Sequence, residues 1–417
     1  MNFELVRKKL IANLKLILNI YILFLIFITI LLSRNTLITT CVVGFNKSFF
    51  ISILLYIPLL IIFMIKLVKA KIQLKNIKIV IIMIATIIIS VLIKKDWQLY
   101  NISILYYIII STMLILITDF NQFKKYYINI LLFLAIFSLL TTYVVKPLIF
   151  ANNLENEILN SKFIVTNSVG YKFLNLFFGF ALFDKEYDRN YGIFTEPSYY
   201  QFYLIMAIIM ILFSKDKKIK DWIKIVILMI TVYTTKSAAG LIVLAFIIFT
   251  YILNYFINNK IERKKLFFLV STFLIIVIIL FAIPNVRDSI SFIYNKLTTK
   301  NDSSLSRFGS IEYTINNFVK SPIIGNKISD ILLYENHLTN TTITIGAIYG
   351  IVPFICVIYF TLKFVMNFNV KKPIKFLILF IIILAYNSHV FIGVQSFWML
   401  ILLGFSDAKN IKIEKEI

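Results

Sequence analysis

Acid–base chemistry needs a group that changes protonation near neutral pH, and this chain of 417 residues offers only two imidazoles, His337 and His389. An ordinary imidazole titrates near pH 6.5, so it can take or give a proton at neutral pH. His337 lies in "YENHLTNTTITIGAIYGIVPF", where polar loop turns into strongly apolar chain within a few residues. Glu335 and Asn336 precede it, and the polar run Thr339–Thr342 follows. His389 stands beside a second apolar run. Each has two uses open to it: a structural histidine held at a helix end, or a catalytic group. His337 has the richer polar context of the two.

A second stretch, "DRNYGIFTEPSYYQFYL", sets Arg189 and Glu196 on either side of a small aromatic cluster, again just before an apolar run. Pro197 suits the first turn of a helix, where its missing N–H costs little. Glu196 would then sit at a helix N-terminus, which favours a negative charge. The other reading makes Glu196 a carboxylate at the rim of an outward-facing cavity. Nothing in the chain has metal-ligand spacing. Cys41 and Cys356 stand alone in or beside apolar segments, with no CxxC and no Cys/His cluster, so neither zinc nor a disulfide is expected.

The elements that must position these groups are membrane helices. The composition is 60% hydrophobic, and apolar runs of about 20 residues, long enough to cross a bilayer as helix, recur along the chain. The strand alternation of an outer-membrane barrel is absent. Expected spans are 13–33, 49–68, 77–93, 99–118, 127–145, 197–213, 222–235, 238–257, 266–283, 339–362, 374–390 and 393–405. The fold class is therefore all-α, a polytopic helical bundle of about 12 spans forming one integral membrane domain over 1–417. The net charge of +23 reads as topology rather than nucleic-acid binding. With the N-terminus inside, the lysine-rich loops around Lys66–Lys78, Lys124–Lys125, Lys215–Lys220, Lys260–Lys265 and Lys371–Lys375 all fall on the cytoplasmic side, as does the C-terminus. Parity settles two ambiguous stretches. Residues 163–183 read as an interfacial or re-entrant piece, and "TTKSAAG" at 234–240 reads as a tight outer hairpin.

That hairpin follows a short arm, so Lys236 lies below the outer surface unless the helix shifts. It either faces a wet cavity or an anion, or snorkels to lipid phosphates. Two long outer loops remain, 146–196 and 284–338, both expected to be folded with short helices. In the second, residues 307–319 have Phe308, Ile311, Ile315, Phe318 and Val319 on one face, an amphipathic pattern expected to lie across the membrane surface as a lid.

These features together resemble a family. "RNYGIFTEPS" is similar to the Arg-x-x-Gly-x-Phe-x-Glu-Pro segment of the O-antigen polymerase/ligase superfamily of envelope proteins. "TTKSAAG" resembles its Thr/Ser-Arg-x-Gly turn, "SRFGSIEYTINNFVKSPIIGN" its arginine-bearing outer helix, and "NHLTNTTITIGAIYGI" its His-Asn segment. Asn precedes His337 here where the family usually has it following, Lys236 replaces a common arginine, and the glycine pair after the proline is reduced to Gly325-Asn326-Lys327. Such departures favour a polymerase over a ligase. The resemblance implies a metal-independent, cofactor-free glycosyltransferase in the bacterial plasma (inner) membrane, with its active site facing outward. It would move glycan from a polyprenyl-diphosphate-linked oligosaccharide onto another lipid-linked repeat, making O-antigen or capsule. It would work in the bilayer beside a flippase and a chain-length regulator, without nucleic acid.

On that resemblance, Arg189, Lys236 and Arg307 supply cations to the diphosphate, since guanidinium groups meet phosphate with forked donors. His337 is the base for the acceptor hydroxyl and Glu196 its rival. Asn336 and Tyr191 join the binding set, and Tyr191, Phe194, Tyr199 and Tyr200 either stack on sugars or form an interface belt. A saccharide transporter is the alternative from another class, but it should show repeats and midplane charges. No repeat relates the halves, and the titratable groups gather outside.

Cysteines introduced at Ser168 and Ser303 should react with a membrane-impermeant thiol reagent in intact cells. Reaction only after permeabilisation would invert the topology.

Overall fold

The protein is described by a computed structural model covering residues 3–68, 77–151, 164–166, 172–174, 180–181, 189–214, 217–258, 302–332, 338 and 340–406. Helix dominates. The first half holds α1 (Phe3–Leu31), α2 (Phe45–Val68), α3 (Lys78–Lys94), α4 (Leu99–Ile117), α5 (Phe120–Leu140) and the short α6 (Lys146–Ala151). Further along come α7 (Pro197–Leu212), α8 (Ile219–Thr234) and α9 (Ala238–Asn258). Next are α10 (Asp302–Lys320) and α11 (Ile328–Leu332). The chain then forms α12 (Thr341–Tyr349), α13 (Ile351–Met366), α14 (Lys372–Tyr386) and α15 (Gln395–Leu402).

Among the described residues, five helical stretches are long and apolar enough to cross a membrane: Lys9–Leu31, Phe45–Val68, Leu99–Ile117, Phe120–Leu148 and Ala238–Asn258. Shorter apolar helices include Pro197–Leu212 and Ile351–Met366. The expected span 266–283 lies outside the described residues. Leu10, Leu14, Ile17, Phe50, Leu54, Ile57 and Ile61 are exposed on α1 and α2, an apolar face that a bilayer would cover. On α8 the exposed residues Ile219, Ile223, Val226, Ile230 and Tyr233 follow a helical stripe.

The centre of the bundle is α7. Every residue of it is buried except Tyr199, which is half-buried. A helix apolar on all faces belongs inside other helices, and α5, α8, α9 and α14 all pack against it. Its N-terminus is fixed by pairing with the segment that follows α1. Thr36 and Phe194 form an isolated antiparallel bridge, Leu37 N–H donates to the Ile193 carbonyl (2.9 Å), and Thr195 N–H donates to the Asn35 carbonyl (3.0 Å).

Three expectations change. The stretch 163–183 contains strands β1 (Ile164–Thr166), β2 (Lys172–Leu174) and β3 (Phe180–Ala181), an antiparallel meander pairing Ile164 with Leu174 and Phe173 with Ala181. The run Ile-Val-Thr is β-branched and prefers this geometry, so the first outer loop is not built of short helices alone. The expected span 339–362 is two helices, broken at Gly350. The stretch α12 starts against the outer end of α14, where Thr342 N–H donates to Asn387 Oδ1 (2.9 Å). It ends against α3 and α4, where Lys94 Nζ donates to the Ile348 carbonyl (2.6 Å) and Tyr349 to Asn101 Oδ1 (2.6 Å). It therefore bridges the bundle's end and leaves α13 to run down it. Finally, α10 is not a free surface lid. Phe318 packs on Gly346 and stacks on Phe354 at 5.7 Å, which keys the helix to both halves of the broken segment.

The turn after α10 explains the break. Asn326 N–H donates to the Ala347 carbonyl (2.8 Å), and Ile351 N–H to the Pro322 carbonyl (2.7 Å). Gly325 and Gly350 both have positive φ, +77° and +87°. A Cβ on Gly325 would lie 2.2 Å from the Ile348 oxygen, and one on Gly350 would lie 1.9 Å from the Ile323 oxygen. The two backbones touch here because neither carries a side chain. From α3 and its turn, Ser90 Oγ donates to the Ile324 carbonyl (2.7 Å), Lys94 Nζ to the Asn326 carbonyl (2.8 Å), and Asp96 Oδ2 accepts from Ile328 N–H (2.8 Å).

Gly350→Ala should cost about 1–3 kcal/mol from backbone strain alone, before any clash. The check is the melting midpoint of detergent-purified protein, with Gly44→Ala as comparison, since Gly44 has open space around its Cβ position. Equal melting of the two variants would refute the interlocked turn.

Candidate active site

The N-terminal end of α7 gathers the side chains that could do chemistry. Glu196 is the N-cap residue, in extended conformation, and Pro197 opens the helix, as the sequence implies. Yet the Glu196 carboxylate does not cap the helix. It turns to His389 on the loop between α14 and α15, with Oε2 3.0 Å from Nε2. The Ser198 hydroxyl contacts the same Nε2 and lies 3.4 Å from Glu196 Oε2. The Tyr199 ring stacks on the imidazole with centroids 4.5 Å apart. The His389 side chain is 11% exposed and that of Glu196 53%, so the imidazole is enclosed and the carboxylate opens outward.

The loop bearing His389 is itself held. The Thr341 hydroxyl reaches the His389 carbonyl and the Tyr386 carbonyl (2.8 Å), and it accepts from Phe391 N–H (3.0 Å). The start of α12 is thus bonded to the histidine's own backbone. Below the cluster the packing is polar. Ser396 Oγ pairs with Ser33 Oγ (2.6 Å) and Tyr203 Oη (2.5 Å), and Ser52 Oγ donates to Gln395 Oε1 (3.1 Å). These bonds seat α15 between α1, α2 and α7.

Arg189 and Lys236 do come together, but through backbone. Arg189 Nε donates to the Thr235 carbonyl (3.3 Å) and Nη2 to the Lys236 carbonyl (3.0 Å). Lys236 has φ +47°, a left-handed turn residue closing the hairpin between α8 and α9. Asn190 completes the joint, with its N–H on the Thr234 carbonyl (2.9 Å) and its amide on Ser138 Oγ (3.0 Å). Arg189 therefore clamps the hairpin with two of its five N–H groups and keeps the rest.

Of the rings proposed for sugar stacking, Tyr191, Phe194 and Tyr200 are buried, and Phe194 stacks on Tyr200 at 5.5 Å as packing. Tyr199 alone of the four is partly open. Arg307 lies within α10, its side chain outside the described residues; His337 and Asn336 also lie outside them. Among the described residues no three His, Cys, Asp or Glu side chains gather as metal ligands.

Sequence reasoning ranked His389 below His337 and passed over Ser198. The only available signals were that His389 is one of two histidines and that Ser198 stands two residues after Glu196.

Arg189→Gln should lower stability by about 1 kcal/mol after solvent screening of two charge-assisted bonds. Thermal unfolding of the purified protein reads this out. An unchanged midpoint would mean the clamp contributes nothing to the hairpin.

Residues 27–307, more than half of the chain, match the family model described as WcaD colanic acid polymerase. That span takes in Arg189, Glu196, Ser198, Lys236 and Arg307 and stops short of both histidines. Comparison with curated proteins and with solved structures gave no match. The chain is a member of the WcaD colanic acid polymerase family, and thus an integral membrane protein of surface-polysaccharide polymerisation.

Proposed function

We propose that the protein transfers glycan from a polyprenyl-diphosphate-linked oligosaccharide to the end of a second lipid-linked repeat, at the outer face of the bacterial plasma membrane. The observation that carries this is the Glu196–Ser198–His389 cluster at the N-terminal end of a buried helix. About 12 spans with both termini cytoplasmic would set that end outside, where a flippase must deliver the donor and a chain-length regulator can meet the growing product.

In the reaction an acceptor hydroxyl attacks the anomeric carbon. The bond from that carbon to the diphosphate oxygen breaks, the diphosphate leaves with its electron pair, and the hydroxyl proton goes to a base. Glu196 suits the base because its carboxylate is the open member of the pair, while the enclosed His389 fixes its direction and can share the proton. A base of this kind contributes about two to four orders of magnitude. His337 is the second group proposed at the reaction, on the segment between α11 and α12. Arg189, Lys236 and Arg307 flank the diphosphate, and Tyr199 offers the ring nearest the pair. The polymer made by this chain is of the surface-polysaccharide class, and its sugars need not be those in the family's name.

Glu196→Gln and His389→Ala should each cut polymer formation about a hundredfold or more, with the protein still inserted and single-repeat lipid accumulating. Gel ladders of cell-surface glycan beside an immunoblot of the protein check this. His337→Ala should do the same. Normal ladders in both Glu196→Gln and His389→Ala would overturn the cluster and leave His337 as the base. Transfer of preformed polymer in one step, without a ladder of intermediates, would favour a ligase.

A further inference from the structure

The antiparallel bridge between Thr36 and Phe194 fixes a register. Asn35 faces Thr195, and Arg34 stands beside it in the turn that Thr36 N–H closes on the Ser33 carbonyl (3.0 Å). The Arg34 guanidinium lies over two ring faces, Phe45 at 5.0 Å and Tyr100 at 4.7 Å. The Tyr100 ring in turn abuts Gly393 on the His389 loop, where a Cβ would come within 2.8 Å of its hydroxyl. The Tyr199 hydroxyl is within electrostatic reach of Arg34 and Glu196 together.

Among the described residues Arg34 has no acidic partner and makes no hydrogen bond, and it is exposed. An arginine at the outer end of a membrane helix often only snorkels to lipid phosphate. A side chain that snorkels is free to swing, whereas this one is held against two rings on α2 and α4. Aromatic faces take the flat of a guanidinium and leave its edge, the donor fork, unspent. That edge matches two oxygens of a phosphate. Arg189, by contrast, already spends two N–H groups on the hairpin.

We propose that Arg34, held by Phe45 and Tyr100 in the turn beside the Thr36–Phe194 bridge, binds phosphate oxygens of the lipid-linked donor. This rests on the polymerase chemistry proposed above. It gives the site two sides: a carboxylate–imidazole pair for the acceptor's proton, and a pre-oriented cation for the charge that grows on the departing diphosphate. Placing the cation on the segment after α1 and the carboxylate before α7 makes the pairing of those segments the device that sets their separation.

The test uses the full chain in phosphatidylcholine nanodiscs, with polyprenyl diphosphate, neutral polyprenol and phosphatidylglycerol as probes and binding measured by titration. Wild type should bind the diphosphate more tightly than the alcohol. Arg34→Gln should weaken diphosphate binding at least tenfold and leave the alcohol unchanged. Arg34→Lys should recover part of the loss, because a point charge lacks the fork, and Tyr100→Leu should weaken binding with the charge intact. Unchanged diphosphate affinity in Arg34→Gln, or in both Arg34→Lys and Tyr100→Leu if Arg34→Gln does not fold, overturns the proposal. So does Arg34-dependent binding of phosphatidylglycerol that equals that of the diphosphate, since Arg34 would then be holding bilayer lipid. Polymer made normally by Glu196→Gln and His389→Ala would defeat the proposed chemistry but leave these binding results standing.

Discussion

A carboxylate at the head of a fully buried helix has to find a partner or lie in water, because an unpaired charge in low dielectric is costly. Glu196 does both: one oxygen meets His389, and half of the side chain stays open. That compromise organises the outer end of the molecule. His389 can reach Glu196 only if its loop dips toward α7, and Thr341 and Ser396 tie down the two sides of that dip. Thr341 starts α12, so the carboxylate's partner and the entry to the broken helix become one hydrogen-bonded unit. The approach also needs the chain before α7 held in extended form, which the segment after α1 supplies.

A second anchor acts from the other flank. Ser90, Lys94 and Asp96 bond to backbone groups of 324–328, so the loop between α10 and α11 is fastened to the end of α3 and the turn after it. The loop cannot be shifted without breaking charge-assisted bonds, each worth about 1.5–3 kcal/mol when shielded from water. The glycines at 325 and 350 let the loop's backbone enter the helix break itself. This interlock shows that residues 321–328 are shaped by contact with helix ends.

Much of this was legible in sequence where the cause is local. Pro197 after Glu196 marked the start of α7, and "TTKSAAG" marked the hairpin, because capping and turn chemistry act within a few residues. The meeting of Arg189 with the hairpin was anticipated as shared charge; the contact is with carbonyls, since a left-handed Lys236 turns its backbone oxygen to the guanidinium. What stayed hidden depends on distant pairing. Nothing near Arg34 says that its turn will lead into a pairing with the chain before α7, and nothing near His389 says that its loop will reach Glu196. The break at Gly350 was hidden for the same reason: glycine in an apolar run reads as close helix packing, and only the insertion of 321–327 makes it a bend.

The short α8 carries a consequence for a bilayer around it. Its 16 residues rise about 24 Å, against a hydrocarbon core of about 30 Å. Lipids bordering its exposed apolar stripe along a full crossing would have to compress by about 6 Å, at fractions of a kcal/mol per Å. Stiff, ordered acyl chains resist such thinning more than a long, kinked isoprenoid tail does. Hydrophobic mismatch alone would then enrich the annulus on that flank in flexible lipids.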